Sequence, residues 1–149
     1  DIAGSDPFGR WFDAIKRFVD YLDYFFLNET QLALLTTKEK IVYGVKVLID
    51  AGVINVIVKL GPDGCIIYDS KMKSITVPTV PLPVVDTTRS GDSFDAAYVL
   101  GLRKDWDPVK CAQFANVVAG CNCCKLGATA GVPDFDTAME KIAEFYGIE

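Results

Sequence analysis

Asp86-Thr87-Thr88-Arg89-Ser90-Gly91-Asp92-Ser93-Phe94-Asp95-Ala96-Ala97-Tyr98 carries the chain from a short apolar run, Pro83 to Asp86, read as a buried strand, into a helix through small polar residues. At such a junction the first helical amides lack intrahelical acceptors and point the positive end of the helix dipole outward, so an anion such as phosphate is the natural guest. Asp92 falls in the first turn, where its carboxylate can take a proton from a hydroxyl beside that anion, an arrangement suited to phosphoryl transfer. The same residues also read as ordinary helix-start chemistry, with Ser90 as the cap and Asp92 complementing the dipole for about 0.3–1 kcal/mol.

Working outward, Phe94, Ala97, Tyr98 and Leu102 share one helical face that ends near Lys104. Asp107-Pro108 supplies a cap and a first-turn proline for a long, mostly apolar helix from Val109 to Lys125, which Gly127 can end. Asp134 is placed to cap a terminal amphipathic helix with Phe135, Ala138, Met139, Ile142 and Phe145 on one side.

Upstream, the β-branched run from Val53 to Leu60 reads as a parallel strand covered on both faces. Gly61-Pro62-Asp63-Gly64 turns into Cys65–Tyr68, and Lys73 to Val77 adds another short strand, giving an antiparallel meander. Thr37 can cap a helix whose face is Ile41, Val42, Val45, Leu48 and Ile49 and which stops at Gly52. Tyr24 to Leu27 reads as a strand ending at Asn28-Glu29-Thr30-Gln31, and in open α/β sheets ligands gather at such carboxyl ends; Asn28 is equally suited to cap the next helix. Helical spacing of Trp11, Phe12, Ile15, Phe18, Val19 and Leu22 predicts a helix from about Arg10 to Asp23, after a turn-rich opening at Asp1–Pro7 that reads as the exit of a strand.

The 149 residues are half hydrophobic, with mean hydropathy +0.24, enough for one domain with a substantial core. Net charge is −5 and no basic stripe exists, which argues against nucleic acid or an anionic membrane as partner. No apolar run reaches the roughly 18 residues of a membrane span, and the first residues lack the pattern of a signal peptide, so the cytoplasm is the expected compartment. There is no His, which leaves acid–base work to carboxylates, Lys, Tyr or Cys. Five Cys include Cys121, Cys123 and Cys124, but their spacing matches no zinc pattern, and compact core packing in a reducing compartment is the plainer reading beside a small redox or metal module.

Asp86 to Tyr98 resembles the second motif of the ribokinase-like (PfkB) carbohydrate kinases, D-T-T-G-A-G-D-x-F, with Arg89 in place of the first Gly and Ser90 in place of Ala. Val58 to Gly64 is similar to the family's V-K-L-G-x-x-G, Asn28 to Gln31 to its N-x-x-E motif with Gln31 at the Glu position, Ala115 to Gly120 to its A-N-A-A-A-A helix, and Gly131-Val132-Pro133 to its G-x-P. The resemblance implies a ribokinase-like three-layer α/β/α fold, mostly parallel with an antiparallel meander. Members are considerably longer, so residues 1–149 are expected to form a single partial domain, the carboxyl-terminal nucleotide-binding half. It further implies ATP and Mg2+ as cofactors and a sugar-like alcohol as acceptor. Asp92 would be the catalytic base, with Arg89, Ser90 and Gly91 around the anion hole. Gly61, Gly64 and Asn116 would lie at the nucleotide, and Asn28, Glu29 and Gln31 would organise metal and phosphate. The expected activity is ATP-dependent phosphorylation of a sugar or sugar-like hydroxyl. The competing expectation is a catalytically inactive kinase-like fragment acting as a nucleotide-binding or oligomeric scaffold. Either form is expected to act as a homo-oligomer or with a complementing amino-terminal half that covers the open edge of the sheet.

Overall fold

The computed structural model describes residues 11–147, so the Asp1–Pro7 turn and the Arg10 start of the first helix lie outside the described residues. The elements run α1 (Trp11–Ile15), β1 (Tyr24–Asn28), α2 (Glu29–Thr36), α3 (Ile41–Asp50), β2 (Asn55–Lys59), β3 (Cys65–Tyr68), β4 (Ser74–Val77), α4 (Ser90–Arg103), α5 (Pro108–Cys123) and α6 (Phe135–Tyr146). They fall into two units. The first takes the described residues up to Gly61 with Ile66–Thr76, and the second takes Pro62–Cys65 with the residues from Val77 onward.

In the first unit the sheet has the order β1-β2-β3-β4, and β1 pairs in parallel with β2 in the register Phe26 to Ile57. Val56, Ile57 and Val58 of β2 are wholly buried, as the continuous β-branched run requires when both faces of a parallel strand are covered. Leu27, Leu32, Leu35, Val45 and Leu48 pack with Val56 and Val58 into one core. Helix–strand alternation around a parallel pair is the α/β class expected from the pattern.

Three local expectations are corrected here. The helix over 10–23 is short: α1 ends at Ile15, and a single 3-10 turn, Val19–Tyr21, follows. The amides of Ile54 and Asn55 bond the carbonyls of Leu22 and Asp23, drawing the chain into the β1 ladder before a helix can finish. Val19 is thereby buried while Phe18 and Tyr21 stay exposed, against their helical spacing. Thr37 does not cap α3. It closes α2 in the left-handed region (φ 57°), its amide donating to the Ala33 carbonyl, and α3 begins from Lys40 with no side-chain cap.

The third correction belongs to the second unit, where Pro83–Asp86 is not a strand and Val84 and Val85 are 67% and 63% exposed. Pro81 and Pro83 have no amide to give a ladder. The amides of Val85 and Asp86 both donate to the Cys123 carbonyl at the end of α5, at 2.7 and 3.1 Å. α5 is the unit's spine: Asp107 caps it by accepting from the amides of Val109 and Lys110, and Cys111, Ala112, Ala115 and Val117 are wholly buried. Asp134 caps α6 as expected, accepting from the Thr137 amide. An aromatic cluster joins the helices, with the Trp106 ring 5.4 Å from Phe114 and 6.2 Å from Phe135.

Candidate active site at the start of α4

Ser90 is the first residue of α4, not its cap, which corrects the capping expectation. The cap is Arg89, in the left-handed conformation (φ 58°, ψ 19°), and it makes no side-chain capping bond. The Ser90 amide bonds the Thr87 carbonyl at 3.2 Å, and the first ladder bond of the helix runs from Ser93 N–H to the Arg89 carbonyl at 3.0 Å. The amides of Gly91 and Asp92 precede that bond, in the turn where the helix dipole presents its positive end. Asp92 lies in this turn with its side chain half exposed, and its Oδ2 is 3.5 Å from Nη1 of Arg89.

Two residues outside the expected set hold this turn in place. Asp86 accepts from the Thr88 amide through Oδ1 and from the Gly127 amide through Oδ2, both at 2.9 Å, which joins the loop before α4 to the loop after α5. The Thr88 hydroxyl, then the Gly127 and Thr88 amides, hold the Asp86 carboxyl below its usual range. Asn122, 1% exposed, donates from one amide nitrogen to Ser93 Oγ at 3.0 Å and to the Ala128 carbonyl at 2.9 Å. The signal for Asn122 was a polar residue inside an apolar helix, sitting among the cysteines that dominate the stretch. The start of α4 also borders a cavity of about 440 Å3 lined wholly by the second unit.

The other expected residues are distributed as follows. Gly64 belongs to the second unit and has φ 91°; a Cβ there would come within 2.7 Å of the Thr79 amide nitrogen, so close backbone approach explains the glycine. Asn116, 3% exposed, donates to the carbonyls of Val77 at 3.3 Å and Pro78 at 3.1 Å, bracing α5 against the segment that follows β4. The Tyr146 hydroxyl donates to the same Pro78 carbonyl at 2.7 Å. Gly61, Asn28, Glu29 and Gln31 belong to the first unit. Gly61 opens a 3-10 turn at φ 58° with open space around it. Asn28 and Gln31 form a reciprocal capping box: the Gln31 amide donates to Asn28 Oδ1 at 2.7 Å and the Asn28 amide to Gln31 Oε1 at 2.9 Å.

That box tests the fit to magnesium. Both side-chain oxygens are engaged and neutral, whereas magnesium favours carboxylates together with substrate phosphates. Glu29 is the exposed carboxylate of the stretch. Among the described residues no cluster of three or more His, Cys, Asp or Glu is placed to hold a metal ion. The cysteines are free, and burial pushes the thiols of Cys65 and Cys111 up to about 12 and about 11, which disfavours the thiolate a redox or metal module would use. No helix of the described residues is long and apolar enough to cross a membrane.

The family model described as pfkB family carbohydrate kinase matches residues 3–134. A ribokinase of Arabidopsis thaliana is 34% identical over 146 residues, covering 94% of this chain and 37% of that protein. A protein described as an uncharacterized sugar kinase of Archaeoglobus fulgidus is 40% identical over 85 residues, covering 57% of this chain and 34% of that protein. The solved Arabidopsis thaliana ribokinase complexed with ribose and ATP superposes with a TM-score of 0.81 at 30% identity, over 85% of this chain and 43% of that one. The chain thus spans about a third of the length of these curated relatives.

Proposed function

The chain belongs to the pfkB family of carbohydrate kinases, and from that premise we propose that it supplies the phosphoryl-transfer centre of an ATP-dependent sugar kinase. The observation that carries the reading is Asp92 in the first turn of α4, next to the amides of Gly91 and Asp92. Asp92 takes the proton of the acceptor hydroxyl, and the hydroxyl oxygen bonds to the γ-phosphorus of ATP. The bond from that phosphorus to the β,γ-bridging oxygen breaks, and ADP leaves with the electron pair. The helix-start amides meet the charge that develops on the transferred phosphoryl group, and Arg89 supplies a cation once it turns from Asp92. Magnesium bound to the nucleotide would neutralise phosphate charge, with Glu29 as the carboxylate offered by the β1–α2 junction. Gly61, Gly64 and Asn116 keep their proposed place on the nucleotide side, with Gly64 and Asn116 acting through the backbone they hold. A complementing amino-terminal half or a second copy would complete the acceptor side, with the cytoplasmic ATP pool as donor.

The test is ADP release with ATP, magnesium and a panel of sugars, by the chain alone and with an amino-terminal half from a relative. Release that disappears in Asp92→Asn supports the reading. Absence of release across the panel in both formats overturns it. A second reading, a catalytically inactive nucleotide-binding or oligomeric scaffold, is favoured by the Arg89–Asp92 pair, which occupies the carboxylate. ATP binding without turnover, unchanged in Asp92→Asn, is its signature.

A further inference from the structure

The cysteines at the end of α5 differ from Cys65 and Cys111, which burial holds in the thiol form. Cys121 and Cys124 are three positions apart and stand on one face of the helix, whereas Cys123 is turned away from Cys121. Helical pitch sets the Cα atoms of the pair about 5 Å apart, inside the roughly 4.4–6.8 Å of disulfides. Their Cβ atoms are about 5–6 Å apart, somewhat beyond the roughly 3.5–4.5 Å that the bond needs. This last turn is already loosened: the Cys124 amide bonds the Cys121 carbonyl at 3.1 Å, three residues back instead of four. The Cys124 thiol donates to the Gly120 carbonyl at 3.4 Å, which lays its sulfur back over the turn that carries Cys121. Burial raises the Cys121 thiol, a rise that Lys141 of α6 opposes and neighbouring Cys124 adds to. Cys124 is the more exposed of the two.

A bond between them closes over Asn122 and Cys123 alone, and α5 uses both of these to hold the entry to α4. Asn122 donates to Ser93 Oγ and to the Ala128 carbonyl, and the Cys123 carbonyl accepts from the amides of Val85 and Asp86. Gly131 passes so near the same turn that a Cβ there would meet the carbonyls of Cys121 and Asn122. Drawing the two Cβ atoms together by about 1–2 Å reorients the enclosed peptides and takes the Cys123 carbonyl from its two donors. We propose that Cys121 and Cys124 are a modification site, a thiol pair that low-molecular-weight disulfides oxidise to an intramolecular disulfide, and that this bond releases the segment entering α4. The Cys124 thiolate attacks one sulfur of the oxidant, forming a mixed disulfide and expelling one thiolate. The Cys121 thiolate then attacks the Cys124 sulfur and expels the second. The two protons given up by the cysteines end on the two released thiols, so the chain loses two electrons and the oxidant gains them. The strain of the closed turn keeps the bond easily reduced, as in regulatory rather than structural disulfides.

The experiment equilibrates the folded full chain with oxidised glutathione, alkylates the remaining thiols in denaturant and locates them by mass spectrometry. In parallel, NMR follows hydrogen exchange of the Val85 and Asp86 amides. Wild type and Cys123→Ser are expected to lose two alkylatable thiols, Cys121 and Cys124, with no glutathione retained. Cys121→Ser is expected to stop at a glutathione mixed disulfide on Cys124, and Cys124→Ser to form no disulfide within the chain. In oxidised wild type and oxidised Cys123→Ser the two amides are expected to exchange at least tenfold faster, and dithiothreitol to restore the slow rate. Cys124→Ser given the same oxidant keeps the slow rate throughout. A bond that forms only after denaturation, a bond that requires Cys123, or unchanged exchange at Val85 and Asp86 in the oxidised chain overturns the proposal. These readouts involve no turnover, so the outcome is the same whether or not the chain transfers phosphate.

Discussion

The guanidinium of Arg89 lies 3.5 Å from the carboxylate of Asp92, and the residue that brings it there is held in a left-handed backbone conformation at φ 58°. The two facts have different energetic weight. An ion pair this exposed contributes about 0–1 kcal/mol, while a left-handed non-glycine residue costs about 1–2 kcal/mol. Backbone strain, not the ion pair, is the larger consequence of having Arg at this position.

Arg89→Gly is therefore expected to raise stability by about 1 kcal/mol, and Arg89→Ala, which keeps the strain and loses the ion pair, to change it by less than about 0.5 kcal/mol. Urea midpoints of the two variants at matched ionic strength check this. If both variants shift equally, the strain assignment fails. In an active assembly Arg89→Gly also opens Asp92 to a hydroxyl.

Asp86 makes the acid limit of stability specific. Its carboxyl is held below the usual 3.8 by the Thr88 hydroxyl and the Gly127 and Thr88 amides. A lowered folded-state value means that the stabilisation is fully present above the unfolded value and disappears as pH falls through the lower folded one. The wild type is expected to lose urea resistance through that window more steeply than Asp86→Asn. Parallel pH profiles would remove the clamp as the cause.

Gly61 and Gly64 both have positive φ, yet only Gly64 has backbone atoms in the way of a Cβ. Gly61→Ala should cost about 1–2 kcal/mol from conformation alone. Gly64→Ala should cost more, by about 1–3 kcal/mol, because the segment after Val77 must move. Thermal or urea unfolding of the pair reads the difference directly.

Asn116→Ala removes the donor shared by the Val77 and Pro78 carbonyls, and a loss of about 1–3 kcal/mol is expected from the buried acceptor left unmet. If Asn116 also touches the nucleotide base, ATP affinity falls beyond what the stability change carries. Calorimetric titration of folded Asn116→Ala with ATP separates the brace from the contact.

The elements that were legible beforehand are those in which a local signal meets no competition. Val56 to Val58 read as a buried strand, Asp107-Pro108 as a helix start and Asp134 as a cap, and each forms as read. The Asp86–Asp92 motif located the α4 junction and the family. The misread stretches are those where a distant partner outbid the local pattern. Phe18 and Leu22 have helical spacing, but the Ile54 and Asn55 amides claim the carbonyls of Leu22 and Asp23. Val84 and Val85 look like a buried strand, but Val85 bonds the end of α5.

The sequence by itself determined the α/β class, the helix start at α4 and the carboxylate in its first turn, because these follow from residue type and from neighbours within a few positions. Tertiary structure alone decided that Arg89 takes the left-handed cap, that Asp86 reaches 41 residues along the chain to Gly127, and that an apolar cavity adjoins Asp92. Each of these depends on which distant backbone amide, carbonyl or side chain occupies the neighbouring space, and no local preference encodes that choice.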